Sequence, residues 1–173
     1  MSTFPVSIST LTAQRRHLLL VSEDESTISR FRAMVVQSDF HIGVISDDFP
    51  FLTNISALEN IVLGCMYHKA MSLQSCRKNI QGLVDALGLN ENLDQRAQFM
   101  SRPMLLKMHL LRCMAMESTF IFLPMISRSD CDILHRAAET LDRDVFLWAT
   151  CLSNDQDVYT SLEFPIIDLN STP

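Results

Sequence analysis

Three short runs, HLLLV at 17–21, TFIFLPM at 119–125 and VFLWATCL at 145–152, are almost wholly apolar, as strands are when both faces of their sheet are covered. Between them the apolar residues recur at helical spacing, in Ile28, Phe31, Met34 and Val35, in Cys76, Ile80, Leu83, Val84 and Leu87, and in Ile133, Leu134, Ala137, Ala138 and Leu141. Parallel neighbours cannot be joined by tight hairpins; a crossover, usually a helix, is needed. The alternation therefore predicts an α/β domain, a mostly parallel sheet flanked by helices.

The local signals place further elements. In SEDEST, acidic residues precede the helix of Ile28 and would sit at its positive end. FHIGVIS at 40–46 reads as a second strand, and the polar stretch SDDFPFLTN leads to a helix start at Ser56, with Glu59 as its capping-box partner. A helix over 72–89 stops at Gly88. Ser101 then opens another helix as its cap, with Pro103 in the first turn, and that helix feeds the apolar strand at 119–125. FPIIDL closes the chain. Residues 1–14 read as an arm or an edge strand, and 15–173 as a single domain.

Composition narrows the classes. With 173 residues, 47% of them apolar, the chain is long enough for one real core, and 20% charged residues argues against disorder. A net charge of -6 argues against nucleic acid as a partner. No apolar run reaches the roughly 20 residues of a membrane span, and the N-terminus lacks the charge order of a signal peptide. The cysteines Cys65, Cys76, Cys113, Cys131 and Cys151 are dispersed, without a C-x-x-C pair, and read as reduced thiols of a cytoplasmic protein, most of them packed in the core. No metal site is expected.

Two stretches carry a family resemblance. IGVISDDFPFLTNISALENIVLGCMYHKAMS, through Leu58, Glu59, Asn60 and Ile61, and LVDALGLNENLDQRAQFMS resemble the nucleotide-binding subunit of ATP-binding cassette (ABC) transporters. The likeness covers most of Ile42 to about Leu169, and YHKAMS is most similar to the ATPases of MCE-type lipid transporters. It implies a P-loop-NTPase-like fold with a helical subdomain at about 55–110 and a reduced antiparallel region. It also implies a cytoplasmic location, peripheral at the inner membrane through partner subunits, and partners comprising an ABC membrane subunit and an intact ATPase subunit or a second copy.

The positions that carry catalysis in that family are replaced. The family's signature falls on Met100, Ser101, Arg102, Pro103 and Met104, which keeps the serine but neither glycine. The Walker B aspartate and the catalytic glutamate fall on Pro124 and Met125, the Q-loop glutamine on Asp47, and the switch histidine on Cys151. These substitutions remove a Mg²⁺-linked carboxylate, a water-positioning group and a γ-phosphate contact. A phosphate loop needs glycines and a lysine, yet no glycine precedes Gly43. Glu23, Asp24 and Glu25 would instead face the phosphates, at about 1 kcal/mol per like-charge pair at 4 Å in water and about 4 at intermediate dielectric.

The expectation is a catalytically inactive ABC ATPase-like subunit without cofactor. Ser101 reads first as a helix cap, with Ser101 and Arg102 the weak candidates for a nucleotide contact. Its partner-binding surface is expected at Asp47, Asp48, Phe49, Phe51, Leu52, Glu59 and Asn60, where the family docks a membrane subunit's coupling helix. Two alternatives stand beside it: a receiver-like signalling domain with Glu23 and Asp24 as its acid pair, and an ATPase-fold enzyme with a new activity.

Overall fold

The structure, a computed structural model, describes residues 6–170. In chain order its elements are α1 (Ile8–Ala13), β1 (Leu18–Ser22), α2 (Glu25–Val36), β2 (Ile42–Val44), α3 (Ala57–His68), α4 (Leu73–Leu87), α5 (Arg102–Ala115), β3 (Phe120–Leu123), α6 (Arg128–Glu139), β4 (Phe146–Leu152) and β5 (Ile166–Asp168), with a 3-10 segment over Ser153–Leu162. The five strands form one sheet in the order β2-β3-β4-β1-β5, and every pairing among the described residues is parallel.

Connectivity explains how the helices divide. The step from β1 to β2 passes over β4 and β3, while the steps to β3, β4 and β5 all run in the opposite direction. Right-handed crossovers then require the helix of the first step to lie on one face and the remaining helices on the other. The core follows this division. Leu18, Leu20, Phe122 and Trp148 pack with Ile8 and Leu11 of α1 and with Phe31 and Val35 of α2. The alternate residues Leu19, Val21, Ile121, Leu123, Leu147 and Ala149 belong to the larger cluster shared with α3, α4, α5 and α6. Period-2 side-chain alternation thus builds two hydrophobic layers from strands that look uniformly apolar in sequence.

Between β2 and β3 the chain is helical. Ser56 caps α3 in a complete capping box with Glu59, and α4 ends on Gly88, whose φ of 68° is the left-handed cap position open to glycine. Ser101 stands at the N-cap of α5, but its side chain makes no capping hydrogen bond. Pro103 lacks an N–H at one of the two positions that a cap side chain can reach. The described part of the N-terminal stretch also differs from expectation. The first residues, 1–5, lie outside the described ones, and Ile8–Ala13 is a helix capped by Ser7, with Ile8 and Leu11 buried. Their i, i+3 spacing is helical, and both sides of β1 are already taken by β4 and β5.

Candidate functional site

In a parallel α/β sheet, ligands collect at the carboxyl ends of the strands, where the loops converge. The first such loop, between β1 and α2, consists only of Glu23 and Asp24. Asp24 caps α2: its carboxylate accepts from the Thr27 backbone N–H at 2.8 Å and the Thr27 hydroxyl at 2.9 Å, and also bonds the Ser26 hydroxyl. These bonds, the Ser26 hydroxyl foremost, hold its carboxyl down at about 2. The Ser22 hydroxyl and the Glu23 N–H both donate to Asn170 Oδ1 at 2.9 Å. A helix N-terminus is a ready anion site, and here the protein's own carboxylate fills it.

A second feature is a cleft of about 210 Å³ between the end of β2, the start of α5 and the end of β3. It brings together Asp47, Arg102, Pro124, Met125, His109 and Asp130. Arg102 lies between two carboxylates, donating to Asp130 Oδ2 from Nε at 3.0 Å and Nη2 at 2.8 Å, and to Asp47 Oδ1 from Nη1 at 3.3 Å. The Asp130 contact, above all, raises its pKa. Met125 sits at a left-handed φ of 49°, its N–H donating to Thr150 Oγ1 at 2.7 Å. Among the described residues no group of three or more His, Cys, Asp or Glu could hold a metal ion.

Cys151 does not join this cleft. It is buried in the larger core, where burial pushes its thiol to about 11. All five cysteines are free and buried, and burial raises Cys113 to about 11 and Cys131 to about 12, which keeps both as packing thiols. His109 is half-buried against Phe51, with ring centroids 4.4 Å apart, and burial lowers it to about 4.

The third feature is an open groove of about 640 Å³ beside the edge strand β2. Val44, Phe49, Leu52, Leu63 and Met116 line it, with Arg112 of α5 among them. Phe49, Leu52 and Leu63 are each more than 40% exposed. At the β2 wall α5 approaches closely: a Cβ on Gly43 would meet Cys113 Cβ and Sγ at 2.7 Å, so only glycine fits.

The expected partner surface is therefore redistributed. Phe49 and Leu52 face the groove, but Phe51 turns inward onto His109 and is buried. Asn60 also borders the groove, yet it is buried and its amide is spent on Leu52 N at 2.7 Å, Leu52 O at 2.9 Å and Ser56 O at 2.9 Å. Asn60 shapes the loop rather than offering a contact. Glu59 is held in its capping box, Asp48 pairs with Arg32, and Asp47 belongs to the cleft. Leu63 and Arg112 are groove residues that the sequence reading missed. Leu63 could have been found, since it falls off the buried stripe of Leu58, Ile61, Val62 and Cys65 on the same helix.

No protein-family model and no curated protein matches this sequence. The structure, however, is similar to solved ATP-binding cassettes. A dimeric post-hydrolysis state of the ATP-binding cassette MJ0796, bound to ADP and Pi, superposes with a TM-score of 0.60 at 14% identity, covering 90% of this chain and 81% of that chain. A second dimeric structure of MJ0796, a bacterial ABC transporter cassette, gives a TM-score of 0.63 at 15% identity with the same coverage. The fold is that of an ABC ATPase. Within this cassette-like fold the expected antiparallel region contributes no strand among the described residues. The sheet order also separates the chain from a receiver domain, whose order 2-1-3-4-5 places β1 between β2 and β3; here β1 lies between β4 and β5. Among the described residues no helix is long and apolar enough to cross a membrane.

Proposed function

We propose that the chain is a non-hydrolytic ABC ATPase-like subunit that serves as a structural or regulatory component of a membrane ABC transporter complex. It acts as one domain over 15–173, with a helical subdomain at about 55–110, in the cytoplasm at the inner membrane, held there by its partner subunits. The observation that carries this reading is the β1–α2 turn: two acidic residues stand where a phosphate loop would need glycines and a lysine, and Asp24 occupies the helix N-terminus. Pro124 and Met125 after β3 and Cys151 within β4 support it, since none supplies a carboxylate or imidazole to a nucleotide. Arg102, already neutralised by Asp47 and Asp130, has no free charge to lend a partner's nucleotide.

The partner surface in this reading is the groove, lined by Phe49, Leu52 and Leu63, taking a membrane subunit's coupling helix. Lipid as the cargo is the narrower form of the proposal, resting on the YHKAMS likeness. Titration calorimetry with Mg·ATP on the purified chain tests it: no saturable binding below millimolar and no phosphate release are expected. Sub-millimolar binding or turnover would favour the rival, a new activity on the same fold. Co-purification with an ABC membrane subunit, lost in Leu52→Asp, tests the docking half separately.

A further inference from the structure

The groove beside β2 contains a charge without a counter-charge among the described residues. Arg112 lines it, half-buried, and among the described residues it forms no ion pair. The nearby carboxylates are taken, Asp47 by Arg102 and Asp48 by Arg32. What holds Arg112 is one hydrogen bond from Nη2 to the Phe49 carbonyl at 2.8 Å and the Phe51 ring, 5.0 Å from its guanidinium carbon. Burial alone depresses its pKa. A guanidinium has five N–H donors in a planar fork, and a neutral amide could serve the Phe49 carbonyl as well. Placing a full cation in an apolar wall without a counter-charge is costly.

The rest of the groove is mostly apolar, with His68 and Ser118 also in its lining. Val44, Leu52, Leu63 and Met116 form its walls, and Asn60, the polar residue best placed to contribute, has both ends of its amide engaged by the protein. The volume of about 640 Å³ lies within the range of small-molecule sites. A mainly apolar groove with one fork-shaped cation lacking a carboxylate partner matches a ligand that is apolar along its length and carries one planar anion at its end.

We propose that this groove binds an amphipathic monocarboxylate, an alkyl chain ending in a carboxylate, with the carboxylate on Arg112 and the chain along Val44, Leu52 and Leu63. The site is independent of the transporter reading: it needs neither a nucleotide nor a membrane partner. It would compete with any helix that docks in the same groove, which makes it a means by which a free acid could displace a partner.

The test uses the full chain with decanoate and 1-decanol, both below micelle-forming concentration, followed by calorimetry and by amide ¹H–¹⁵N spectra. Decanoate should bind saturably and at least about tenfold more tightly than decanol, the ratio expected for a charge-assisted contact. Shifts should concentrate at Val44, Phe49–Leu52 and Leu63. Arg112→Gln, which can still donate to Phe49, should bring the two affinities together. Leu63→Asp, at an exposed helix position, should abolish decanoate binding while the spectrum stays folded. Equal affinity for acid and alcohol in the native chain, a preference that survives Arg112→Gln, or no saturable binding would each overturn the proposal. Binding of an acidic amphipathic peptide without binding of decanoate would also overturn it, and would assign the groove to a protein.

Discussion

The cleft at the carboxyl end of the sheet and the groove beside β2 lie at opposite ends of α5, and they treat charge in opposite ways. In the cleft Arg102 is bracketed by Asp47 and Asp130, and in the neighbouring turn Asp24 is satisfied by Ser26 and Thr27. In the groove Arg112 has only a carbonyl and a ring, among exposed Phe49, Leu52 and Leu63. Polar groups that neutralise one another inside the protein offer little to a charged substrate. An unpaired cation beside exposed apolar surface is the opposite case, since both features are relieved by an occupant. The charged groups Asp24 of the β1–α2 turn and Arg102 of the cleft are thus taken up by internal partners, and the exposed apolar surface lies elsewhere.

The largest effect should come from breaking the wall between strand and helix. Gly43→Val places a side chain where Cys113 already stands, and should cost roughly 3 kcal/mol and lower the melting temperature by about 6–12 °C. A melt unchanged by the substitution would show that α5 can retreat and that the groove is not rigid.

Acid comes next. His17 and His109 are both lowered to about 4 by burial, whereas in an unfolded chain each would take up a proton near 6.5. Between those values the unfolded state holds more protons, so their contribution is complete above pH 6.5 and is lost as pH falls towards 4. Asp24, depressed to about 2, adds a further loss as pH falls from about 4 to 2. Thermal melts against pH should therefore decline in two stages. His17→Asn, whose side-chain oxygen can still accept the Leu147 N–H that His17 Nδ1 accepts at 3.0 Å, should flatten the upper stage.

Smaller effects separate the two regions more finely. Ser56→Ala removes half of the capping box beside the groove and should cost about 1 kcal/mol in denaturant titrations. Arg102→Ala should cost about 1 kcal/mol, because Arg102 and Asp47 are exposed and only Asp130 is mostly buried; a larger loss would mean that the Asp130 contact stabilises the cleft. Leu63→Asp should leave stability within about 0.5 kcal/mol of the parent while abolishing groove binding. That dissociation would mark the groove as a functional surface and not a structural one.

Much of the architecture was legible in the sequence. The almost wholly apolar runs at 17–21, 119–125 and 145–152 became β1, β3 and β4, and Ser56 with Glu59, Gly88 and the acids before Ile28 marked helix ends where they were expected. These signals are local, set by backbone hydrogen bonding and by side-chain period within one segment, so neighbouring residues suffice to show them. The N-terminal helix was misread because Val6, Ile8 and Leu11 fit alternation and helical spacing almost equally over so short a stretch. Among the candidate residues, Asp47, Arg102, Pro124 and Met125, named from the family resemblance, line one cleft. The inward turn of Phe51, the internal use of Asn60 and the isolation of Arg112 were not legible.

The sequence by itself determined the alternation of strand and helix, the lack of any glycine before Gly43, and the Pro124–Met125 pair after β3, because each of these is a property of residues adjacent in the chain. Only the tertiary structure decided which charges are paired and which face is left open. Arg102 meets Asp130 and Asp47 across 28 and 55 residues, and Arg112 reaches Phe49 across 63. Whether a cation is neutralised or left bare depends on what the folded chain brings to within a few ångströms of it, and spacing along the sequence does not contain that information.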